Sequence, residues 1–287
     1  MDPLAKVRRE YAEKIRAIAG LHSGALARAF AAVAREAFVG PGPWQILRLP
    51  DVTRYETTPD ADARRLYDNV LVALDADRNL NNGEPATLAR WLDALELAPG
   101  DRFLHIGCGV GYYTAIAAEC VGPGGAAVGV ELDAALADRA QRNLARWPAA
   151  RVIAGDGRSL DLGAFDAILV NAGATELPAG WLDALAPNGR LLVPLTVELA
   201  IAGVGAGHML RAVRRTRGYV AQFVSPVGIF HCAGARTRGG SDRLRRAYTH
   251  SDPREVASLR RDQHRADAQC WLHTDGFCLS RLAADEC

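Results

Sequence analysis

No two of the six cysteines form a Cys-x-x-Cys pair, so neither a dithiol redox motif nor the usual zinc-ribbon spacing is present. Cys108, Cys120, Cys232, Cys270, Cys278 and Cys287 are scattered along the chain, a distribution that fits reduced thiols rather than a disulfide framework. Cys270 and Cys278 with His264 and His273 match no common zinc spacing, and no metal site is expected. Long apolar runs are missing too. The longest, residues 191–210, is interrupted by Pro194, Glu198 and several glycines, which suits two buried strands better than a membrane span. The opening Met1-Asp2-Pro3-Leu4-Ala5-Lys6 is charged early and lacks the apolar core of a signal peptide. A cytoplasmic protein without membrane contact is therefore expected. There is no internal repeat or low-complexity tract. Net charge is nearly absent, at +1 from 34 basic and 33 acidic residues. The balance hides an asymmetry: residues 208–287 hold 14 Arg against 8 Asp plus Glu, or +6, and the rest is −5. A solvated Arg-rich face is the preferred reading of that tail over an anionic partner, and nucleic acid is not an expected ligand.

What is present is ordinary for a globular chain: 49% hydrophobic and 23% charged residues over 287 positions. That length holds one large domain, or a domain of about 200 residues with an appendage. Leu4, Val7, Tyr11, Ile15 and Ile18 recur at helical spacing over residues 4–19. Ser23 is placed to cap a second, alanine-rich helix carrying Leu26, Phe30 and Val33, which Gly40-Pro41-Gly42-Pro43 stops. Residues 44–84 show no clear period. A helix is expected from Pro85 to about Pro99. Strands then alternate with helices: strand 102–106, helix 112–121, strand 126–130, helix 133–146, strands 151–154 and 165–170, helix 178–185, strand 190–194. This alternation implies parallel βαβ units in an α/β, doubly wound, three-layer sheet. Residues 209–215 and 219–224 read as further strands at an antiparallel edge. The expected divisions are 1–84, an N-terminal helical cap with a loop; 85–234, the core; and 235–287, an Arg-rich C-terminal extension.

The most informative segment is Phe103-Leu104-His105-Ile106-Gly107-Cys108-Gly109-Val110-Gly111, between a buried strand and a helix. Glycines there let the backbone turn sharply and approach a ligand, while the helix start offers free N–H groups. The spacing is GxGxG and does not meet the dinucleotide form GxGxxG. Glu131 ends the next strand, where a carboxylate accepts from ribose hydroxyls, and Leu132 follows it. Asp156, in Gly155-Asp156-Gly157, ends the third strand and is placed to accept from an adenine amino group. Asn171 follows the fourth. Ligands of open α/β sheets bind at such strand ends.

The segments FLHIGCGVGYYTAIAA, VGVELD, GDGRSLDLGAFDAILVNAGATELP and LDALAPNGRLLVPL together resemble the class I, Rossmann-like methyltransferase core. The last two, with AFAAVAREAFVGPG nearer the N-terminus, are similar to the protein-L-isoaspartate O-methyltransferase family in particular. The resemblance covers residues 20–230. It implies a mostly parallel seven-stranded sheet and S-adenosyl-L-methionine as cofactor, with S-adenosyl-L-homocysteine as product. It also implies that Gly107, Gly109 and Gly111 cradle the methionine part, Glu131 the ribose and Asp156 the adenine, with Cys108, Leu132, Gly157 and Asn171 completing the cofactor site. Two departures stand out. His105 occupies a first-strand position that the family usually gives to an acid. The stretch Asn79-Leu80-Asn81-Asn82-Gly83-Glu84-Pro85 replaces a Thr-Ile-Ser segment whose serine the family places near the transferred methyl.

Methyl transfer is a displacement at a sulfonium carbon, and a carboxylate with a pKa near ~4 is already a nucleophile at neutral pH. Asn171-Ala172-Gly173-Ala174 lacks the Asn/Asp-Pro-Pro-aromatic element of enzymes that methylate planar amines. The acceptor expected is therefore a carboxylate on a protein, peptide or small acid. Asn81 and Asn82 are the candidate residues for orienting it, and an Asn-Gly turn is their alternative role. Asp75-Ala76-Asp77-Arg78-Asn79 lacks the Gly and Glu that an EF-hand requires. His231 is a candidate base for a harder nucleophile, and Tyr67 and Tyr113 either line the site or pack. The rival readings are a methyltransferase for a peptide or small-molecule natural product, and a cofactor-binding partner protein without turnover.

Overall fold

The computed structural model describes residues 2–48, 54–78, 80–158, 162–199 and 203–285, so Asn79 and Cys287 lie outside the described residues. The chain divides into two compact units, Met1–Asp101 with Cys108–Gly155, and Arg102–Gly107 with Asp156–Cys287.

In the first unit, α1 (Ala5–Ala19) buries Tyr11 and Ile15 of the apolar stripe read from the sequence, leaves Ile18 exposed, and stops at Gly20 in the left-handed region. Ser23 caps α2 (Gly24–Ala32), its Oγ accepting the Leu26 N–H at 3.2 Å. After α3 (Glu36–Val39), the stretch without a period folds into a four-stranded antiparallel sheet. Its strands are β1 (Gln45–Leu47), β2 (Glu56–Thr57), β3 (Leu71–Asp75) and β4 (Leu80–Asn81), in the order β2-β1-β3-β4. Three of these strands have only two or three residues, too short for alternation to register. Trp44, Ile46, Leu66, Val70 and Val72 form their core with Val39.

Arg35 organises this part. It is wholly buried, and its Nη1 donates to the carbonyls of Leu66 (2.7 Å) and Asp68 (3.1 Å), its Nη2 to that of Val70 (2.6 Å). Three carbonyls that enter β3 outside any ladder are thereby satisfied. Next come α4 (Pro85–Ala94), which starts on a proline as its fixed φ allows, and β5 (Arg102–Ile106), which belongs to the second unit. α5 (Tyr112–Val121) is buried on every side except Glu119. β6 (Ala126–Glu131) and β7 (Ala150–Ala154) pair in parallel from Ala127↔Ala150 to Glu131↔Ala154. Between them runs α6 (Ala134–Asn143), capped by Asp133, whose Oδ1 accepts from Ala135 and Leu136.

The second unit begins with β5, which pairs in parallel with β8 (Phe165–Val170). After α7 (Ala179–Asp183), β9 (Leu185–Glu198) joins β8, again in parallel. Every later pairing is antiparallel: β10 (Val204–Arg214), β11 (Tyr219–Phe230), and, beyond α8 (Arg238–His250), β12 (Ser258–Arg260), β13 (Cys270–His273) and β14 (Cys278–Ser280). The order is β13-β14-β12-β11-β10-β9-β8-β5. The α/β class stands, but the strand balance differs from expectation. Among the described residues this unit has eight strands, and five of their seven pairings are antiparallel. The extra strands come from residues 235–287, whose arginines obscured runs of three or four residues. Tyr248 of α8 fastens that segment, donating to Leu195 O (2.8 Å), accepting the His208 N–H (3.1 Å) and meeting Trp271 at 5.3 Å between ring centroids. Among the described residues, no helix is long and apolar enough to cross a membrane.

Replacing Arg35 by Ala strands the carbonyls of Leu66 and Val70, while Asp68 O keeps the Val70 N–H, and leaves a cavity, so it should destabilise the protein by on the order of 3 kcal/mol. A urea titration is expected to show a lower midpoint at an unchanged slope; a midpoint within error of the wild type would remove Arg35 from this role.

Candidate functional site

β5 ends at Ile106, and the chain then passes through Gly107, Gly109 and Gly111 at φ of 76°, 56° and 87°. Side chains disfavour such values, so glycine is the residue that makes this turn. Gly111 leads into α5 with no side-chain cap, leaving first-turn N–H groups available to a polar ligand. A Cβ at Gly109 would meet nothing within 4 Å, so the loop is open on that side. Cys108 is a filler: a Cβ on Gly129 of β6 would come within 2.8 Å of its Sγ, and burial pushes its thiol well above the ordinary range.

At the end of β6, Glu131 Oε2 accepts the Gly109 N–H at 2.8 Å and Oε1 accepts the Asp133 N–H at 3.1 Å. Each carboxylate oxygen has room for two donors, so each retains one acceptor position. Leu132, beside it, is 56% exposed, an apolar surface at the strand's end.

The Asn-rich loop belongs to the same unit and rests on α5, because Tyr113 Oη donates to Gly83 O at 3.3 Å. Asn81 makes the turn that Asn-Gly sequences favour: its Oδ1 accepts the Gly83 N–H at 2.9 Å, and its Nδ2 donates to Tyr55 Oη at 3.3 Å. Asn82 differs. Its backbone donates to Val72 O at 2.9 Å, but its side-chain Nδ2 is buried without a partner among the described residues, in a residue 7% exposed. Tyr67 packs, donating to the Glu36 carboxylate, and burial with that neighbouring charge pushes its phenol up.

In the second unit, Asn171 follows β8, its backbone donating to Ile106 O (2.8 Å) and its Nδ2 to Gly107 O (3.4 Å). Gly157 is set by close approach, since a Cβ there would lie 2.6 Å from Ile106 Cγ2. Asp156 is gripped by Arg158, whose Nε lies 3.1 and 2.9 Å from its two oxygens and whose Nη1 donates to Gly234 O at 2.8 Å. That hydrogen-bonded guanidinium holds the Asp156 carboxyl below the usual range. His105 is wholly buried, and desolvation pushes it down to about 3, so the ring is neutral.

The sequence reading missed Arg236. Its Nη1 donates to Gly173 O (2.9 Å) and Thr196 Oγ1 (2.8 Å), while its Nη2 is buried without a partner among the described residues. His231 Nε2 is likewise buried and unpartnered, and burial and the Arg236 charge lower its pKa. No period marks these residues, which lie in the irregular segment after β11. His264, Cys270, His273 and Cys278, set aside on linear spacing, are brought together, with ligand atoms all within 4.8 Å of one another.

The model of the protein-L-isoaspartate(D-aspartate) O-methyltransferase family matches residues 48–209, more than half of the chain. The chain is 32% identical over 199 residues to the protein-L-isoaspartate O-methyltransferase of Methylorubrum populi, covering 68% of this chain and 80% of that one. It is 34% identical over 149 residues to the Methanopyrus kandleri protein of the same name, covering 50% of this chain and 65% of that protein. It spans 61% of the Rhodopseudomonas palustris protein-L-isoaspartate O-methyltransferase 2, so it covers under two thirds of some of these relatives. A solved protein-L-isoaspartate O-methyltransferase shares the fold with TM-score 0.61 at 23% identity, over 83% of this chain and 69% of that one. A Plasmodium falciparum structure described under the same name, in complex with S-adenosyl-L-homocysteine, aligns with TM-score 0.59 at 18% identity, over 78% of this chain and 97% of that one.

His105 predicts an acid limb in stability. Both states hold it neutral above about 6.5; below that, the unfolded ring takes a proton that the buried ring refuses until pH falls to about 3. Stability is therefore lost as pH falls through this window, by about 1.4 kcal/mol between pH 7.5 and 5.5 from this group. Denaturation midpoints of the wild type and His105→Gln should diverge over that range; parallel profiles would show that the ring is protonated in the fold.

Proposed function

The chain belongs to the protein-L-isoaspartate(D-aspartate) O-methyltransferase family, and on that premise we propose that it is an S-adenosylmethionine-dependent methyltransferase acting on a carboxylate of a protein or peptide. The observation that carries the reading is the Gly109–Glu131 hydrogen bond, which couples the glycine loop to an acidic strand end that keeps acceptor positions in hand. The residues suit the cofactor. Gly107, Gly109 and Gly111, with the Cys108 backbone and Asn171, are assigned to its methionine part. Glu131 is assigned to the ribose hydroxyls, Leu132 to a face of the adenine, and Asp156 with Gly157 to the adenine amino edge. When bound, the cofactor supplies a methyl group on a sulfonium sulfur.

The chain's own residues then have a positioning task. An acceptor carboxylate is ionised at neutral pH and needs no base. The unpartnered Nδ2 of Asn82 is the donor that aligns it, and the Asn81 turn holds Asn82 in place. Burying that amide unpaired costs about 1–3 kcal/mol, so an acceptor that engages it recovers the penalty. Residues 1–84 on this reading meet the acceptor, and residues 85–234 hold the cofactor. The absence of Ser or Thr between Asn79 and Pro85 favours an acceptor other than isoaspartate as the second reading. The protein is assigned to the cytoplasm.

Labelled methyl should pass from S-adenosylmethionine to peptides as base-labile ester, tested on matched isoaspartyl and aspartyl peptides. Label on the isoaspartyl peptide alone identifies the repair substrate; base-stable label would sink the carboxylate reading. Asn82→Ala should lower kcat/KM by about 10- to 100-fold with cofactor affinity kept. Asp156→Ala should weaken cofactor binding about tenfold, the loss of one charge-assisted hydrogen bond. Arg158→Ala should leave binding unchanged or tighter, because Arg158 competes for the same oxygens. Unchanged affinity in Asp156→Ala would withdraw the adenine assignment.

A further inference from the structure

The C-terminal sheet extension brings two thiols and two imidazoles to one point through three features of the second unit. β13 and β14 form a hairpin closed by Thr274, whose N–H donates to Phe277 O (3.0 Å) and whose Oγ1 accepts the Phe277 N–H (3.0 Å). The register sets His273 opposite Cys278, so both side chains lie on one face as a cross-strand pair. Cys270 is three residues before His273, and in a regular strand the two would face opposite ways. The ladder is irregular between Cys270 and Leu272: Cys270 pairs with Ser280 and Leu272 with Leu279, leaving Trp271 extra. A bulge of one residue turns Cys270 onto the face of His273. The fourth group arrives from the loop after β12. His264 Nε2 lies 3.5 Å from Cys270 Sγ, and the His264 and His273 rings meet at 4.7 Å and 73°.

We propose that His264, Cys270, His273 and Cys278 form a structural zinc site, unrelated to the methyl-transfer chemistry, that fastens the last three strands together. Zinc takes four such donors tetrahedrally, and bonds of ~2.3 Å to sulfur and ~2.0 Å to nitrogen set the donors about 3.3–3.8 Å apart. Cys270 Sγ lies 3.5 Å from His264 Nε2 and 3.9 Å from His273 Nδ1, and all four donors fall within 4.8 Å of one another. Two thiolates and two imidazoles suit zinc among the divalent ions, and four protein donors leave no open position for catalysis.

The surroundings match that role. His264 turns its other nitrogen to Asp262, 3.1 Å from the backbone O and 3.3 Å from Oδ2, the orientation that fixes a metal-ligating imidazole. The Asp267 N–H donates to Cys270 Sγ at 3.5 Å. Cys270 Sγ in turn donates to the Asp267 carboxylate at 3.4 Å. A disulfide is the competing fate, and Cys270 and Cys278 are both free cysteines in the structure. β13 is the last strand in the order, so the site closes the sheet's free edge.

The test uses the full chain, purified without chelator. Elemental analysis should find about one zinc per chain, and Cys278→Ser should lose it. Should that variant fail to fold, cobalt(II) added to the metal-free wild type is the second measurement. Visible bands of a tetrahedral thiolate complex, displaced by zinc, are expected, and His264→Ala should weaken cobalt binding at least tenfold. Chelation should lower the melting midpoint while binding of S-adenosyl-L-homocysteine, measured separately, tests the enzymatic reading on its own. Absence of stoichiometric metal with no thiolate band, or a Cys270–Cys278 disulfide in the unreduced protein, would overturn the proposal.

Discussion

The turn through Gly107, Gly109 and Gly111 is the constraint to which the rest of the candidate site answers. Three residues in the left-handed region within five positions let a buried strand pass into a buried helix with backbone N–H groups left over. Glu131 exploits this. By accepting from Gly109 it fixes the loop, and by accepting from Asp133 it fixes the start of α6, whose cap is Asp133 itself. One carboxylate therefore coordinates two helix entries and still retains acceptor capacity. Loss of it would release the loop as well as any ligand contact, so the structural and functional roles of Glu131 are not separable by its removal alone.

Buried polar groups divide into those that are spent on the fold and those that are held in reserve. Arg35 is mostly of the first kind: its two Nη atoms are shared among three carbonyls of the segment leading to β3, although its Nε is buried without a partner among the described residues. Asn82 and Arg236 are of the second. Each is held by part of itself, Asn82 by its backbone and Arg236 by Nη1, while another nitrogen is buried unpaired. Natural folds seldom tolerate such groups without use, because an unpaired buried donor is destabilising. Asn82 has that use in the function proposed for this family member. Asp156 presents the opposite case: its oxygens are occupied by Arg158, so a ligand there must displace a guanidinium.

The C-terminal segment shows how composition misleads. Fourteen arginines after residue 207 suggest a solvated tail. In the structure ten of them, between Arg236 and Arg281, accompany a helix and three strands that continue the sheet, and several are tied locally: Arg254 to Asp252, Arg260 to Asp262, Arg281 to Glu255. The pairs sit mostly at the surface, where solvent screening leaves such pairs little weight. What anchors the segment is the aromatic contact of Tyr248, Phe223 and Trp271, and the proposed metal adds a second anchor at the far edge.

From the sequence alone, the elements between residues 85 and 170 were legible in type and order, with ends off by up to five residues (the helix from Pro85 stops at Ala94, not near Pro99), because buried strands and helices there are long enough for their periods to show. Strand 102–106 and helix 112–121 match the structure residue for residue. The glycine loop, the acid at the end of β6 and the family resemblance were legible for the same reason: turn chemistry and strand ends leave local marks. Only tertiary structure decided the small sheet of β1–β4, whose strands are too short to carry a pattern, and the pairing of Asp156 with Arg158. It alone distinguished Asn81, which makes the turn, from Asn82, which keeps a free amide, since two adjacent asparagines look alike until their hydrogen bonds are assigned. The bulge at Trp271 is the sharpest case. Linear spacing places Cys270 and His273 on opposite faces of a strand, and one extra residue in the ladder reverses that, because side-chain direction in a sheet depends on register and not on sequence distance.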